Sequence, residues 1–233
     1  MKKVILFAAF VSLSVATIAR AEEQSRATAE ARLRHAGEVL QQVMGAPDKG
    51  IPEEVLHHAK CIAVVPHLIK GGFVFGAEGG RGVATCRTAG GWSAPAFFTI
   101  TGGSWGLQIG VEGVDLVFVI QNDEGMKHFI NGNFELGGDA SAAAGPVGRH
   151  ASADTDWKLN AEVLTYSRAK GAFAGLTLTG AAIRRDEDST EATYGHEVST
   201  RHILDGGEAV PASAQSFLDA VGHAKAQAVA SNQ

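Results

Sequence analysis

Runs of alternating apolar residues, separated by glycine pairs, fill residues 71–113 and restrict the fold of this chain more than any other feature. Period-two spacing in residues 73–77, 94–100, 107–111 and 114–120 predicts four strands with one buried face each. The glycine pairs between the runs predict hairpin turns. Glycines inside the runs, such as Gly76 and Gly110, predict strong curvature or close approach of another backbone. A curved antiparallel sheet or a partly closed barrel follows.

Helical patterns flank this β-rich centre. Residues 22–46 carry apolar side chains at spacings of three and four, which places them on one helical face: Ala29, Leu33, Ala36, Leu40 and Val43. Such a helix can lie on a membrane surface or pack its narrow stripe on the domain. The second interpretation is favoured, because membrane-surface helices usually carry bulkier apolar residues and more lysine. With a final helix over residues 213–230, the pattern predicts a single α+β domain.

Local signals predict several shorter elements. A short helix is expected over residues 51–58, and another over residues 123–131, with Asn122 as N-cap and Gly132 after its end. Strands are expected at residues 61–65, 161–166 and 172–179. Residues 184–189 are expected to form an exposed charged loop, and residues 190–194 and 199–204 two further short helices.

The N-terminus is typical of a secretory signal peptide. Lys2 and Lys3 precede an apolar run over residues 4–18, and Ala19-Arg20-Ala21 matches the small-x-small pattern of a cleavage site. The run has about 15 residues and is shorter than the roughly 20 that a spanning helix needs. Cleavage near Ala21 is therefore predicted, with a mature protein in the periplasm or secreted.

Charge and cysteine content restrict the function further. The formal net charge is −5 and falls by three more charges when Lys2, Lys3 and Arg20 are removed, so no nucleic-acid partner is expected. In an oxidising compartment Cys61 and Cys86 are predicted to form a disulfide. The alternative is two buried thiols, and two cysteines with no nearby histidine pattern make no convincing zinc site.

Catalysis is not expected. Residues 102–106 fit the G-x-S-x-G pattern around Ser104, but a nucleophile elbow needs a helix after the serine, and residues 107–120 alternate like strands. His57 and His58 are adjacent, so on a helix their side chains point about 100° apart and do not chelate one ion together. No metal site and no cofactor are predicted.

Basic residues next to glycine-rich turns are the remaining candidates for a binding site. They are Lys70, Arg81, Arg149, Arg168 and Lys170. Glycine turns expose backbone N–H groups that can hold an anion, and a nearby cation supplies charge. A phosphate head group would suit such a site, whereas the alternative is that each charge only keeps a turn soluble.

Several ordered motifs resemble the SYLF domain family. They are K-G-G-F at residues 70–73, G-W-S-A-P-A-F-F at 91–98, G-L-Q-I-G at 106–110, G-P-V-G-R at 145–149 and L-T-Y-S-R-A-K-G-A-F-A-G at 164–175. The resemblance covers about residues 36–195. It divides the chain into a signal peptide (1–21), an N-terminal helix (22–46), a SYLF-like domain (36–195) and a C-terminal helical extension (196–233).

The resemblance implies a lipid-binding domain. Eukaryotic SYLF relatives bind phosphoinositides, and yeast relatives also bind actin. For an exported bacterial member, actin is not an expected partner, and what transfers is affinity for anionic phospholipid head groups. The family motifs point to Lys70, Arg168 and Lys170, while Arg81 and Arg149 are added from their positions beside glycine turns. The alternative function is a structural or protein-interaction module of the cell envelope, which an oligomer would suit.

Overall fold

The computed structural model describes the backbone of residues 2–45, 50–146, 161–169, 172–175 and 180–230. Within these ranges it describes the side chains except those of residues 2–20, 53, 72–75, 104–111, 169, 172–175 and 225–230. The described helices are α1 (Lys2–Met44), α2 (Glu53–His58), α3 (Asp123–Asn131), α4 (Glu187–Tyr194), α5 (Thr200–Leu204) and α6 (Gln215–Ala230), with a 3-10 turn at Ala212–Ala214 before α6.

The described strands form one mixed sheet that is nearly closed, like a barrel. They are β1 (Cys61–Thr88), β2 (Gly91–Trp92), β3 (Ala96–Ile120), β4 (Asn133–Leu136), β5 (Ala142–Ala144), β6 (Val163–Ala169), β7 (Ala172–Gly175) and β8 (Ala181–Arg185). The hydrogen-bonded order is β2-β1-β3-β6-β5, with β7 on β6 and with β8 between β3 and β4. The α+β class with a curved, partly closed sheet is therefore confirmed.

Two very long strands, β1 and β3, make an antiparallel ribbon that organises the sheet. Their register runs from Cys61 opposite Ile120 to Ala84 opposite Ala96. The prediction of hairpin turns at glycine pairs 79–80 and 102–103 is wrong, because both pairs lie inside these strands. Residues 79–80 pair with residues 100–101, and residues 102–103 pair with residues 77–78. Glycine lets a strand bend without ending it. The four predicted strands therefore belong to two continuous ones: residues 73–77 lie in β1, and the other three runs lie in or overlap β3.

The ribbon folds back on itself, and glycines permit the close contact. The Cα atoms of Cys61 and Cys86, at the two ends of β1, are 4.0 Å apart, and the N–H of Arg87 donates to the carbonyl of Lys60 at 2.8 Å. A Cβ on Gly80 would lie 3.3 Å from the Cα of Leu68. Gly80, which the sequence pattern places in a turn, is thus a point of close approach inside β1. The prediction of close approach at Gly76 and Gly110 stays a prediction.

The two cysteines join the two ends of β1. We call the line where the two halves of the folded ribbon meet the seam. Their sulfur atoms are 1.99 Å apart, a bonding distance, and both residues are fully buried. The first half of the folded ribbon comprises residues 61–70 of β1 with 112–120 of β3. The second half comprises residues 79–88 of β1 with 96–101 of β3.

Side-chain alternation divides the buried residues into an inner core and an outer core. The inner core lies between the two halves of the ribbon and includes Ala63, Val65, Leu116, Phe118 and Ile183, together with Phe129 of α3 and Leu204 of α5. The outer core lies between the sheet and the helices α1, α2 and α6. It includes Ile62, Val64, Val117, Val119 and Leu164 from the sheet and Leu33, Leu40 and Phe217 from the helices.

Helix α1 packs over the seam, as the favoured interpretation predicts. All five residues of its predicted stripe are buried, from Ala29 to Val43. Arg32 on the same helix makes a 2.8 Å ion pair with Asp186, and its guanidinium lies 5.3 Å from the centre of the Phe97 ring. Among the residues that the structure describes, no helix is at once long and apolar enough to span a membrane.

Shorter elements agree with the local signals in most places. The side chain of Asn122 accepts a hydrogen bond from the N–H of Gly125, and Gly132 adopts a left-handed conformation with φ of 73°, so both predicted caps of α3 are confirmed. The predicted exposed loop over residues 184–189 is wrong. Its first two residues belong to β8, and Asp186 is buried because it caps α4 and pairs with Arg32.

Candidate functional site

The outer faces of the two halves of the ribbon differ in their cover. Helices cover the first half. In the second half the outer core includes Val83 and Phe97, whereas Arg81 and Thr101 are exposed in the described part of the chain. We call the uncovered surface the open face. It comprises two neighbouring rows of residues on β1, β3, β8 and β4: Arg81, Thr99, Arg184 and Asn133 in one row, and Gly79, Thr101, Ala182 and Glu135 in the other.

Two arginines stand close together on the open face. Arg81 lies opposite Thr99 in the β1–β3 ladder, and Thr99 lies opposite Arg184 in the β3–β8 ladder. Two strand spacings separate Arg81 from Arg184, which is about 10 Å between Cα atoms. Both arginines are exposed, and among the described residues neither makes an ion pair. The row therefore presents two unneutralised guanidinium groups on either side of a hydroxyl.

The nearest buried charges leave this positive potential intact. Burial lowers the pKa of Arg32, and the nearby charge of Arg81 lowers it further, while Asp186 opposes both effects. Burial alone would raise the pKa of Asp186, but hydrogen bonds from Arg32 and Ser189 hold it below its usual value. The carboxylate of Asp186 is thus committed to Arg32, so it does not neutralise Arg81.

Lys70 lies on the inner face of the folded ribbon. Its Nζ is 3.1 Å from Oε2 of Glu78, whose side chain is only 6% exposed. Glu112 is its register partner on β3. Lys70 is therefore bound to an internal carboxylate at the point where the ribbon turns back.

Arg168 lies on the opposite, outer face of the first half. It stands next to Asp115 in the β3–β6 ladder, with Nη1 3.3 Å from Oδ2 of Asp115, and it also bonds the side chain of Gln42 on α1. Asp115 is three residues from Glu112, so the two point to opposite faces of β3. The structure consequently separates Lys70 from Arg168. The roles of these two residues in lipid binding stay predictions, as do those of Arg149 and Lys170, which lie outside the described residues.

The backbone around Ser104 does not have the form of a nucleophile elbow. Residues 102–106 lie within the continuous strand β3, which runs on to Ile120, so no helix follows the serine. Among the described residues, no group of three His, Cys, Asp or Glu side chains is arranged to hold a metal ion. The rings of His57 and His58 meet edge to face, with centroids 5.1 Å apart.

Arg184 and Thr99 were missed from the sequence. The predicted loop includes Arg184, because residues 184–188 are all charged. A usable signal was the alternation of Ala181 and Ile183 with Ala182 and Arg184, which is typical of a short strand with one buried face. The partner strand, however, lies about 85 residues earlier, and nothing in the local pattern identifies it.

Known proteins provide independent evidence on this chain. Residues 101–224 match the family model Ysc84, described as "Las17-binding protein actin regulator". The chain is 37% identical over 181 residues to Protein YSC84 of Saccharomyces cerevisiae, covering 76% of this chain and 38% of that protein. It is 35% identical over 175 residues to SH3 domain-containing YSC84-like protein 1 of Homo sapiens, covering 74% of this chain and 51% of that protein. The chain spans about half the length, or less, of these relatives.

Proposed function

The chain belongs to the Ysc84 (SYLF) family, and we propose that this member is an exported, non-catalytic protein that binds anionic phospholipid head groups. The observation that carries the proposal is the row Arg81–Thr99–Arg184 on the open face. Guanidinium groups form paired, charge-assisted hydrogen bonds with phosphate oxygens, and a threonine hydroxyl can donate a further one. A head-group phosphate between the two arginines would meet all three donors.

The expected affinity is modest. Each arginine near an anionic membrane adds roughly 1 kcal/mol to the attraction. Two such charges give weak, reversible binding that salt screens, because exposed charges interact over only about 8 Å at physiological ionic strength. Arg149 and Lys170 would add to this attraction if they lie near the same surface.

A protein-binding role is the rival function. The family description and the name of the relative LAS seventeen-binding protein 3 refer to protein partners, and both are statements about other proteins. For an exported protein we expect no actin partner. A structural or interaction module of the envelope needs no preference for anionic lipid, so vesicle binding and its loss on charge reversal in the arginine row separate the two functions.

The test is co-sedimentation with vesicles of phosphatidylcholine alone and of phosphatidylcholine with phosphatidylglycerol. The full chain and residues 22–233 are both measured, because residues 4–18 are apolar and could bind lipid by themselves. Arg81→Glu and Arg184→Glu are compared with Arg34→Glu, which reverses an exposed arginine on α1. Lys70→Glu and Arg168→Glu complete the panel.

We expect the wild type to prefer the anionic vesicles, and the preference to fall at least fivefold in Arg81→Glu and Arg184→Glu but not in Arg34→Glu. Sodium chloride at 0.5 M should reduce binding in parallel. Equal pelleting with both vesicle types, or equal losses in all three variants, would refute a head-group site on the open face.

Export is tested separately, by mass spectrometry of the protein recovered from cells that produce it. A mature chain that begins at Glu22 is expected from the small-x-small pattern before it. Recovery of the uncleaved chain from the cytoplasm alone would contradict this part of the proposal.

A further inference from the structure

The turn of the folded ribbon differs from the rest of the sheet because, of the strands that the structure describes, only β1 and β3 form it. We call it the bend: residues 71–77 of β1 with residues 102–111 of β3. Among the described strands, β3 pairs with β8 only up to Thr101 and with β6 only from Asp115 onward. Between these points β1 is its single partner among the described strands. No other described strand pairs with either edge of the ribbon along the bend.

The composition of the bend is unlike that of an ordinary exposed ribbon. Neither residues 71–77 nor residues 102–111 contain a charged side chain, and together they include Phe73, Phe75, Trp105, Leu107 and Ile109. Exposed edge strands usually carry charges that prevent association. At the base of the bend, Ile69 is 51% exposed. An uncharged apolar ribbon without a third strand is typical of a surface that meets another apolar phase.

The charges at the base are arranged in layers. Lys70 and Glu78 neutralise each other where the bend begins and ends, and Arg81 follows three residues after Glu78 on the open face. The bend itself is thus uncharged. Arg81 and Arg184, which make no ion pair with a described residue, lie on the part of the sheet next to it. In a bilayer the apolar interior likewise lies next to an anionic head-group layer. The uncharged bend would match the interior and the arginines would match the head groups, so a lipid layer fits this arrangement better than a second copy of the chain.

The dimensions also agree. Four residues separate Lys70 from Val74 at the middle of the bend, which allows at most about 13 Å of extended chain. The head-group layer of one leaflet is roughly 5–8 Å thick. The bend can therefore pass the head groups while Arg81 and Arg184 remain at their level. Tryptophan residues are favoured at this boundary between apolar and polar layers.

We propose that the bend inserts into the apolar boundary of a lipid leaflet and that the arginine row holds the head groups beside it. This inference rests on the proposed function, since it assigns the second contact of the same membrane-bound state. It predicts that binding has an apolar component, which salt does not remove, next to the electrostatic one.

The test measures tryptophan fluorescence with vesicles whose acyl chains carry bromine, which quenches only tryptophans that enter the leaflet. Trp92 and Trp157 are common to the wild type and Trp105→Phe, so the difference between these proteins reports on Trp105. Leu107→Asp should impair insertion, and Val210→Asp is its matched control because Val210 is an exposed apolar residue outside the bend. The full chain and residues 22–233 are again compared, and thermal melts verify folding.

We expect quenching to fall at least twofold in Trp105→Phe, and binding to fall at least tenfold in Leu107→Asp but not in Val210→Asp. Should Leu107→Asp fail to fold, the conservative Trp105→Phe still decides.

Unchanged quenching in Trp105→Phe, with binding to anionic vesicles intact, would overturn insertion and leave the proposed function standing. Unchanged anionic preference in Arg81→Glu and Arg184→Glu, with quenching retained, would overturn the head-group site and support insertion. A dimer in light scattering that Leu107→Asp dissociates, without any quenching, would instead make the bend a self-association surface and refute insertion.

Discussion

The two halves of the folded ribbon have the same inner role and opposite outer roles. On the inside both contribute apolar residues to one core, such as Leu116 from the first half and Ile100 from the second. On the outside the first half presents Val64, Val117 and Val119 to helices, whereas the second presents Arg81 and Thr99 to solvent. Helical cover therefore coincides with apolar outward residues, whereas the uncovered rows carry Arg81 and Arg184, which make no ion pair with a described residue.

The basic residues illustrate the same difference. Arg168 on the covered half and Lys70 on the inner face each bind a carboxylate, while Arg81 and Arg184 on the open face do not, within the described residues. A positive charge that the fold uses internally is neutralised, so it contributes little to attraction at a distance. The sequence position of a cation beside glycines does not distinguish these cases.

The largest effect on stability is expected at the ion pair between Arg32 of the covering helix α1 and Asp186 at the start of α4. Asp186→Asn leaves the guanidinium of Arg32 buried without its counter-charge, and removing one partner of such a pair typically costs about 3–5 kcal/mol. Urea unfolding at pH 7 measures the loss. Asp188→Asn, at an exposed carboxylate in the same helix, is the control, and a similar loss in both variants would show that the ion pair does not attach α1.

The same variant should change the pH dependence of stability. The pKa of Asp186 is lowered in the folded protein, so its contribution is complete above the unfolded value of about 3.9 and is lost as pH falls through the folded value. Wild-type stability should therefore decrease below about pH 4 by more than that of Asp186→Asn. Parallel curves would contradict this assignment.

The seam between the two halves comes next. Replacing both Cys61 and Cys86 with alanine removes a cross-link over 25 residues, and chain entropy predicts a loss of about 3 kcal/mol. Thermal and urea unfolding, with and without a reductant, provide the comparison. A reductant that destabilises the alanine variant as much as the wild type would show that the bridge is not the cause.

Close contact between β1 and β3 within the second half should tolerate no added methyl group at Gly82. A Cβ there would lie 2.3 Å from Cζ of Phe98, and overpacking of this kind costs about 1–3 kcal/mol. Gly103→Ala is the matched control, because a Cβ at Gly103 meets nothing within 4 Å. Equal midpoints in urea for the two variants would argue against close packing of the Phe98 ring on the backbone of β1.

The smallest effect tests the open face directly. Glu135→Lys adds positive charge beside Arg184, and at roughly 1 kcal/mol for a cation near an anionic surface it should strengthen binding to anionic vesicles about fivefold. Glu38→Lys makes the same change on exposed α1 and should have a smaller effect. A larger gain from Glu38→Lys would place the membrane contact on the covered side.

Features determined by neighbours in the chain were predictable from the sequence. The caps at Asn122 and Gly132, the stripe on α1 and the alternation in β1 and β3 all depend on residues only a few positions apart. Features determined by distant partners were not. Gly79 and Gly102 do not end their strands, because each is paired with a residue of the partner strand. Asp186 is buried because Arg32, 154 residues earlier, is its partner.

The candidate site has the same dependence. Lys70, Arg81 and Arg168 share a local sequence context of basic residues beside glycines, but Glu78, Thr99 and Asp115 decide their electrostatic state. Lys70 meets Glu78 only because β1 bends back through eight residues, and Arg81 meets Arg184 only because β8 pairs with β3. The sequence therefore shows which side chains are basic, whereas only the strand pairing shows which of their charges are neutralised by a carboxylate.

The pairing of Arg32 with Asp186 also sets an order of events during synthesis. Helix α1 leaves the ribosome well before its partner carboxylate, because Asp186 follows Arg32 by 154 residues. Until α4 and α6 have been made, the apolar stripe of α1 lacks these two packing partners, and the nascent chain cannot complete its outer core. Helix α1 therefore acquires part of its native contacts late, although it precedes every strand of the sheet in the chain.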